Sequence, residues 1–198
     1  MLLILCGPSG AGKSTLCSLL LNQETDFSLS VSCTTRAPRG QEVHGREYWF
    51  VGAEAFQVQV SERAFAEYAQ VHGNWYGTLR TAIDASLAQG SSLVFDIDYQ
   101  GAQQLRAVYP DAVSVMVLPP DMVTLEARLR GRGTDSDEVI ARRLMKARHE
   151  IQQSAEFDYV IVNEQIDAAW GVLQSIVHAS RHRSREVWPR VQHRFEAL

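Results

Sequence analysis

Between residues 7 and 14 the chain reads GPSGAGKS, which fits the spacing G-x-x-x-x-G-K-S. These residue types suit a phosphate. Glycine lets backbone N–H groups wrap an anion because no Cβ stands in the way. An apolar run at 2–6 precedes the turn and a helical pattern at 13–22 follows it, so the N–H groups of a helix start face the same point. In that frame Gly7, Pro8, Ser9, Gly10, Ala11, Gly12, Lys13, Ser14 and Thr15 cradle a nucleoside triphosphate. Lys13 reaches the β- and γ-phosphates and Ser14 ligates Mg2+. Asp96 ends the apolar stretch SLVFD, a position from which a carboxylate orients Mg2+ through its waters.

A second group of residues bears on the acceptor. Arg36, Arg39 and Tyr48 cluster in a short polar segment, where guanidinium forks and a phenol suit a phosphate. Farther on, Glu67 and the run GNWYGT at 73–78 bring a carboxylate, two aromatics and a hydroxyl.

Alternating elements must position these groups. Short apolar runs rich in β-branched residues at 2–6, 92–97, 113–118 and 159–162 predict buried strands. Helical periods at 79–88, 100–108, 121–130, 137–152 and 166–181 separate them. The expected fold class is therefore α/β, a parallel sheet covered by helices on both faces. Residues 34–78 break the rhythm. They are expected to form a small inserted domain with strands near 47–51 and 65–71, and the polar stretch 131–137 a mobile loop.

Composition narrows the class. The 198 residues are 45% hydrophobic and 21% charged, an ordinary globular balance. A net charge of −4 lacks the basic bias of a nucleic-acid binder. Cys6, Cys17 and Cys33 are odd in number and show no C-x-x-C spacing, so reduced thiols are expected and structural zinc is not. His178 and His182 sit four apart without a third ligand nearby, as solvent-facing helix residues do. No segment has the length to span a membrane and no signal peptide is evident, so a soluble cytoplasmic protein is expected.

Taken together, GPSGAGKST, SCTTRAPRGQEVHGREYWFV, FAEYAQVHGNWYGT, DIDYQGAQQL, RLRGRGTD and YVIVN closely resemble guanylate kinase, in family order and over most of the chain. The resemblance implies a P-loop core at 1–33 and 79–198, an α+β GMP-binding insertion at about 34–78 and a lid at about 128–143. It implies the reaction ATP + GMP = ADP + GDP with Mg2+, and small-molecule substrates rather than nucleic acid or membrane. By motif match Arg36, Arg39, Tyr48 and Tyr76 would hold the GMP phosphate, and Ser32, Glu67, Thr78 and Asp98 would read guanine. Arg128, Arg132 and Arg143 would contact phosphates as the lid closes, with Lys13, Arg36, Arg132 and Arg143 as the catalytic set. Asn163 would approach the adenine of ATP. The residue chemistry agrees independently, because ionised carboxylates only accept hydrogen bonds and guanine offers N1–H and N2–H2 as donors.

Segment 57–63 departs from the resemblance: it lacks a glycine turn before the FAEYA strand, and a reshaped surface loop is expected there. The basic and aromatic tail after residue 181 is expected to be solvated or packed. Rival readings are weaker. A non-catalytic scaffold would be expected to carry a damaged phosphate loop, and this one is intact. A regulatory GTPase would need an N-K-x-D segment, which the chain lacks despite DYQG at 98–101. A kinase for another small molecule would not need the guanine-reading set.

Overall fold

The computed structural model describes residues 1–195 apart from 72, 132 and 134. The first elements are β1 (Leu2–Cys6), the glycine turn, α1 (Lys13–Gln23) and β2 (Phe27–Leu29). Next come β3 (Cys33–Thr34), β4 (Trp49–Phe50), α2 (Ala53–Ser61), β5 (Phe65–Val71) and β6 (Asn74–Leu79). Then follow α3 (Arg80–Ala88), β7 (Ser92–Asp96), α4 (Tyr99–Val108) and β8 (Val113–Leu118). The last are α5 (Met122–Arg130), α6 (Asp137–Gln152), β9 (Tyr159–Val162), α7 (Ile166–Arg181) and α8 (Ser184–Val191).

Five strands form one parallel sheet in the order β2-β7-β1-β8-β9. All of β1 is buried, and its side chains alternate between two cores. Leu3 and Leu5 pack with Leu16 and Leu20 of α1 and Trp170 and Leu173 of α7. Leu2, Ile4 and Cys6 pack on the other face with Ile83 of α3 and Ala102 and Leu105 of α4. Burial on both faces is why the central strands β7, β1 and β8 read as continuous apolar runs. The strand order reverses around β1, with β7 on one side and β8 on the other. The crevice at the carboxyl ends of these strands is where ligands bind in such sheets.

A second sheet, ordered β4-β3-β6-β5, stands on a core of Cys33, Phe56 and Phe65. Phe56 stacks on Phe65 at 4.4 Å between centroids and on Trp75 at 6.0 Å. Gly77 lets β5 and β6 lie close, since a Cβ there would meet Tyr68 Cβ at 2.8 Å. Gln104 of α4 ties this sheet to the first layer. Its amide accepts the Tyr68 N–H at 3.0 Å and donates to the Tyr68 carbonyl at 2.9 Å, completing the strand edge as a neighbouring strand would.

Two expectations are corrected here. The strand expected at 47–51 shrinks to Trp49–Phe50. The surface loop expected at 57–63 is in large part α2, held by the burial of Phe56. That helix ends in a turn in which Arg63 N–H donates to Val60 O at 3.0 Å and Ala64 N–H to Gln59 O at 2.9 Å. This is the 5→2 and 6→1 pattern that favours glycine. Arg63 takes it at φ 54, the one positive φ outside glycine among the described residues. An L side chain pays a steric penalty in that region. Arg63→Gly is therefore expected to raise stability by about 0.5–1 kcal/mol in chemical denaturation, net of the extra freedom of glycine in the unfolded chain.

Candidate active site

The glycine turn closes over the end of β1. Gly7 has φ 139 and Gly12 φ 102. A Cβ on Gly7 would lie 2.1 Å from Val117 O, and one on Gly12 would lie 2.1 Å from Asn163 Nδ2. Backbone forms the wall because nothing larger fits. The N-cap of α1 is Gly12, which has no side chain to occupy the first-turn N–H groups, and no acidic residue lies in that turn. The start of α1 is thus a positive end open to an anion.

Lys13 is half-buried and donates to Gly7 O at 2.6 Å and to Pro8 O at 3.4 Å. Its Nζ is 3.9 Å from Asp96 Oδ1. The Ser14 hydroxyl donates to Asp96 Oδ2 at 2.7 Å. The end of β7 therefore brings a carboxylate against both residues of the loop. Asn163 is buried, and its amide donates to Ala11 O at 2.8 Å. The Asn163 backbone carbonyl accepts from Arg128 Nη2 at 3.0 Å. In this arrangement Asn163 braces the loop from beneath, and Arg128 braces Asn163.

The acceptor-side residues gather around the second sheet. Thr78 donates to Glu67 Oε1 at 2.6 Å, so its hydroxyl hydrogen is engaged. Ser32 Oγ lies 3.0 Å from Thr78 Oγ1 and must then be the donor of that pair. Glu67 is 5% exposed. Burial raises its pKa above the ordinary carboxylate value, the Thr78 hydroxyl pulls it back, and Asp98 pushes it up again. Gly101 opens space beside it, since a Cβ there would lie 3.2 Å from Glu67 Oε2. Asp98 caps α4 by accepting the Gly101 N–H on Oδ1 at 3.1 Å.

Arg36 is 9% exposed and lies 5.4 Å from the centre of the Tyr48 ring, which meets Tyr76 edge-on at 5.8 Å. Its guanidinium donates to Ala37 O at 2.7 Å and to Glu42 Oε1 at 2.9 Å. The other oxygen of Glu42 accepts the Arg39 N–H at 2.8 Å. Sequence reasoning missed Glu42, which sets the Arg36 fork and the Arg39 turn together. Its signal was an acidic residue three places after Arg39. The Arg36 fork holds the Glu42 carboxyl below its ordinary pKa, and the Arg39 N–H adds to this. The Arg39 side chain is exposed.

Two clefts meet at Asp96 and Ile97. One, of about 320 Å3, joins Ser14 to Ser32 and Tyr48. The other, of about 210 Å3, joins Gly7 and Lys13 to Asp98 and Arg143. Arg143 pairs with Asp135 at 3.0 Å. The expected lid arginine Arg132 lies outside the described residues. The three cysteines are free and buried. Burial pushes the Cys6 thiol up to about 12 and those of Cys17 and Cys33 up to about 11, so none is poised as a nucleophile. A site with a phosphate cradle, buried acceptors and paired arginines, and no poised thiol, fits group transfer between bound phosphates.

The family model for guanylate kinase matches residues 1–180. The chain is 50% identical over 182 residues to the guanylate kinase of Aromatoleum aromaticum, covering 92% of this chain and 89% of that one. It is 50% identical over 184 residues to the guanylate kinase of Escherichia coli, with the same two coverages, 92% and 89%. The crystal structure of guanylate kinase from Anaplasma phagocytophilum superposes with a TM-score of 0.75 at 31% identity, covering 100% of this chain and 96% of that one. The intact phosphate loop and the buried acceptor cluster thus occur in a chain that belongs to the guanylate kinase family.

Proposed function

We propose that this protein transfers the γ-phosphoryl group of ATP to the phosphate of GMP, giving ADP and GDP, with deoxy-GMP also accepted. The observation that carries the reading is the pair of clefts meeting at Asp96 and Ile97, one at the phosphate loop and one reaching the acceptor residues. In this reading the loop 7–15 and α1 hold the ATP phosphates. Lys13 leaves its carbonyl partners to meet the β- and γ-phosphates. Arg36, Arg39, Tyr48 and Tyr76 hold the GMP phosphate, whose own oxygen attacks. Ser32, Glu67, Thr78 and Asp98 read guanine. Adenine, with an unprotonated N1 and no 2-amino group, would set a lone pair against a buried carboxylate. Sites built on such hydrogen bonds reject the wrong base by about 10⁴-fold. Arg128, Arg132 and Arg143 bring positive charge to the phosphates as the lid at 128–143 closes on the core, and closure excludes the water that would otherwise take the phosphoryl group.

Nucleotide kinases of this kind generally use Mg2+. The Ser14 hydroxyl and the Asp96 carboxylate are oxygen donors 2.7 Å apart, the ligand chemistry Mg2+ takes. No cluster of three or more His, Cys, Asp or Glu suited to a metal occurs among the described residues, so phosphate oxygens and waters would complete the shell. Once bound, the ion would offset charge on the β- and γ-phosphates. Among the described residues no helix is long and apolar enough to cross a membrane, which is compatible with the cytoplasmic location we propose.

ADP formation from Mg-ATP, with GMP, AMP, CMP and UMP offered separately and a control without acceptor, tests the reading. Turnover with GMP alone is expected. ADP without any acceptor would indicate a hydrolase. Silence with every nucleotide, in a folded chain that binds GMP, would indicate a scaffold.

A further inference from the structure

Helix α6 brings one cation to the acceptor site that neither the phosphate loop nor the arginine set includes. Ser136 caps this helix, and Asp137 and Glu138 occupy its positive first turn. Arg143, Lys146 and Glu150 follow at i, i+3 and i+7, on one face. All three line the cleft of about 210 Å3 that also holds Lys13 and Asp98. Lys146 Nζ lies 3.1 Å from Asp98 Oδ2 and 3.5 Å from Glu150 Oε1. Asp98 therefore takes donors from two separate helices, the Gly101 N–H of α4 on Oδ1 and the Lys146 ammonium of α6 on Oδ2.

The plain alternative is a solvent-facing lysine paired along its own helix with Glu150. The Lys146 side chain is 61% exposed, and such pairs contribute little by themselves. The geometry exceeds that alternative in one respect, because the same ammonium joins a carboxylate 48 residues away at the start of another helix. A carboxylate has about four lone-pair sites, and two donors from fixed elements leave about two free. Those two donors also determine where the free lone pairs point. Burial works against the charge on Lys146, but Asp98 and Glu150 outweigh it and leave its pKa raised, so the cation is present at neutral pH.

We infer that Lys146 is a positioning residue for guanine: it fixes the Asp98 carboxylate from α6 and so ties base reading to that helix. The inference rests on the assignment of Asp98 to the base. The test is calorimetric binding of GMP and of ATP to the whole chain. Lys146→Met, of similar length without charge, is expected to weaken GMP about five-fold, the scale of one exposed ion pair, and to leave ATP within about two-fold. Lys146→Arg, which keeps the cation, is expected to recover most of the loss. In an Asp98→Asn background, Lys146→Met is expected to have no further effect, because the partner is already altered. Unchanged or tighter GMP binding by Lys146→Met would overturn the inference alone, as would equal weakening of ATP or full additivity with Asp98→Asn. Absence of GMP binding by the unaltered chain would overturn the functional reading and the inference together.

Discussion

Lys13→Ala is expected to lower kcat by about 10³-fold, the scale on which removal of a preorganised charge stabiliser acts. The half-buried ammonium rests on Gly7 O at 2.6 Å, at the mouth of the cleft that Asp98 and Arg143 also line. Those carbonyl contacts hold it in place until a phosphate competes for it. Phosphoryl transfer has little covalent chemistry for the protein to perform, so a positioned cation at the transferred group carries a large share of the catalysis. The fold should tolerate the change. The Asn163 brace and the Ser14–Asp96 bond do not involve the lysine side chain. Steady-state kinetics beside thermal unfolding check this: kcat should collapse with the melting temperature nearly unchanged. An unaltered kcat would remove Lys13 from the mechanism.

The core was legible because its physics is local. The limits of β1, β8, β9, α6 and α7 match the apolar runs and helical periods residue for residue. Strands β1 and β8, buried on both faces, leave a continuous apolar signature. The second sheet was less legible. Strands β3 and β4 are two residues each, fixed by pairing of Cys33 with Gly77 on one side and Trp49 on the other rather than by propensity. Helix α2 was missed because a single buried ring, Phe56, anchors it, while QVQV alternates as a strand would. In the site, the candidate residues came from contiguous motifs. Glu42 was missed although its partners Arg36 and Arg39 are six and three residues away. Gln104 and Lys146 were not readable, because each acquires its role from a partner that only the tertiary fold delivers. Gln104 meets Tyr68 across 36 residues, and Lys146 meets Asp98 across 48.

The second large effect is expected at Glu67. Glu67→Gln replaces an acceptor-only carboxylate with an amide that presents two N–H donors. The Thr78 hydroxyl can still donate to the remaining oxygen, so the amide nitrogen is turned toward the base, donor against donor. A loss of about 10²-fold in kcat/KM for GMP is expected, with KM for ATP little changed, because the mismatched groups are buried. The pH dependence gives an independent check. Burial raises the pKa of Glu67 above its ordinary 4.5, so the folded chain holds this proton at pH values where the unfolded chain has lost it. The associated stability is fully present below 4.5 and lost as pH rises through the raised value. At neutral pH the variant should therefore be at least as stable as the parent, which separates a recognition defect from misfolding. In the parent, KM for GMP should climb as pH falls through the raised pKa, when the protonated carboxyl no longer accepts from guanine. In Glu67→Gln that limb should vanish, leaving the titrations that both proteins share, the GMP phosphate among them. Parallel profiles for the two proteins would show that the Glu67 carboxylate does not meet the base.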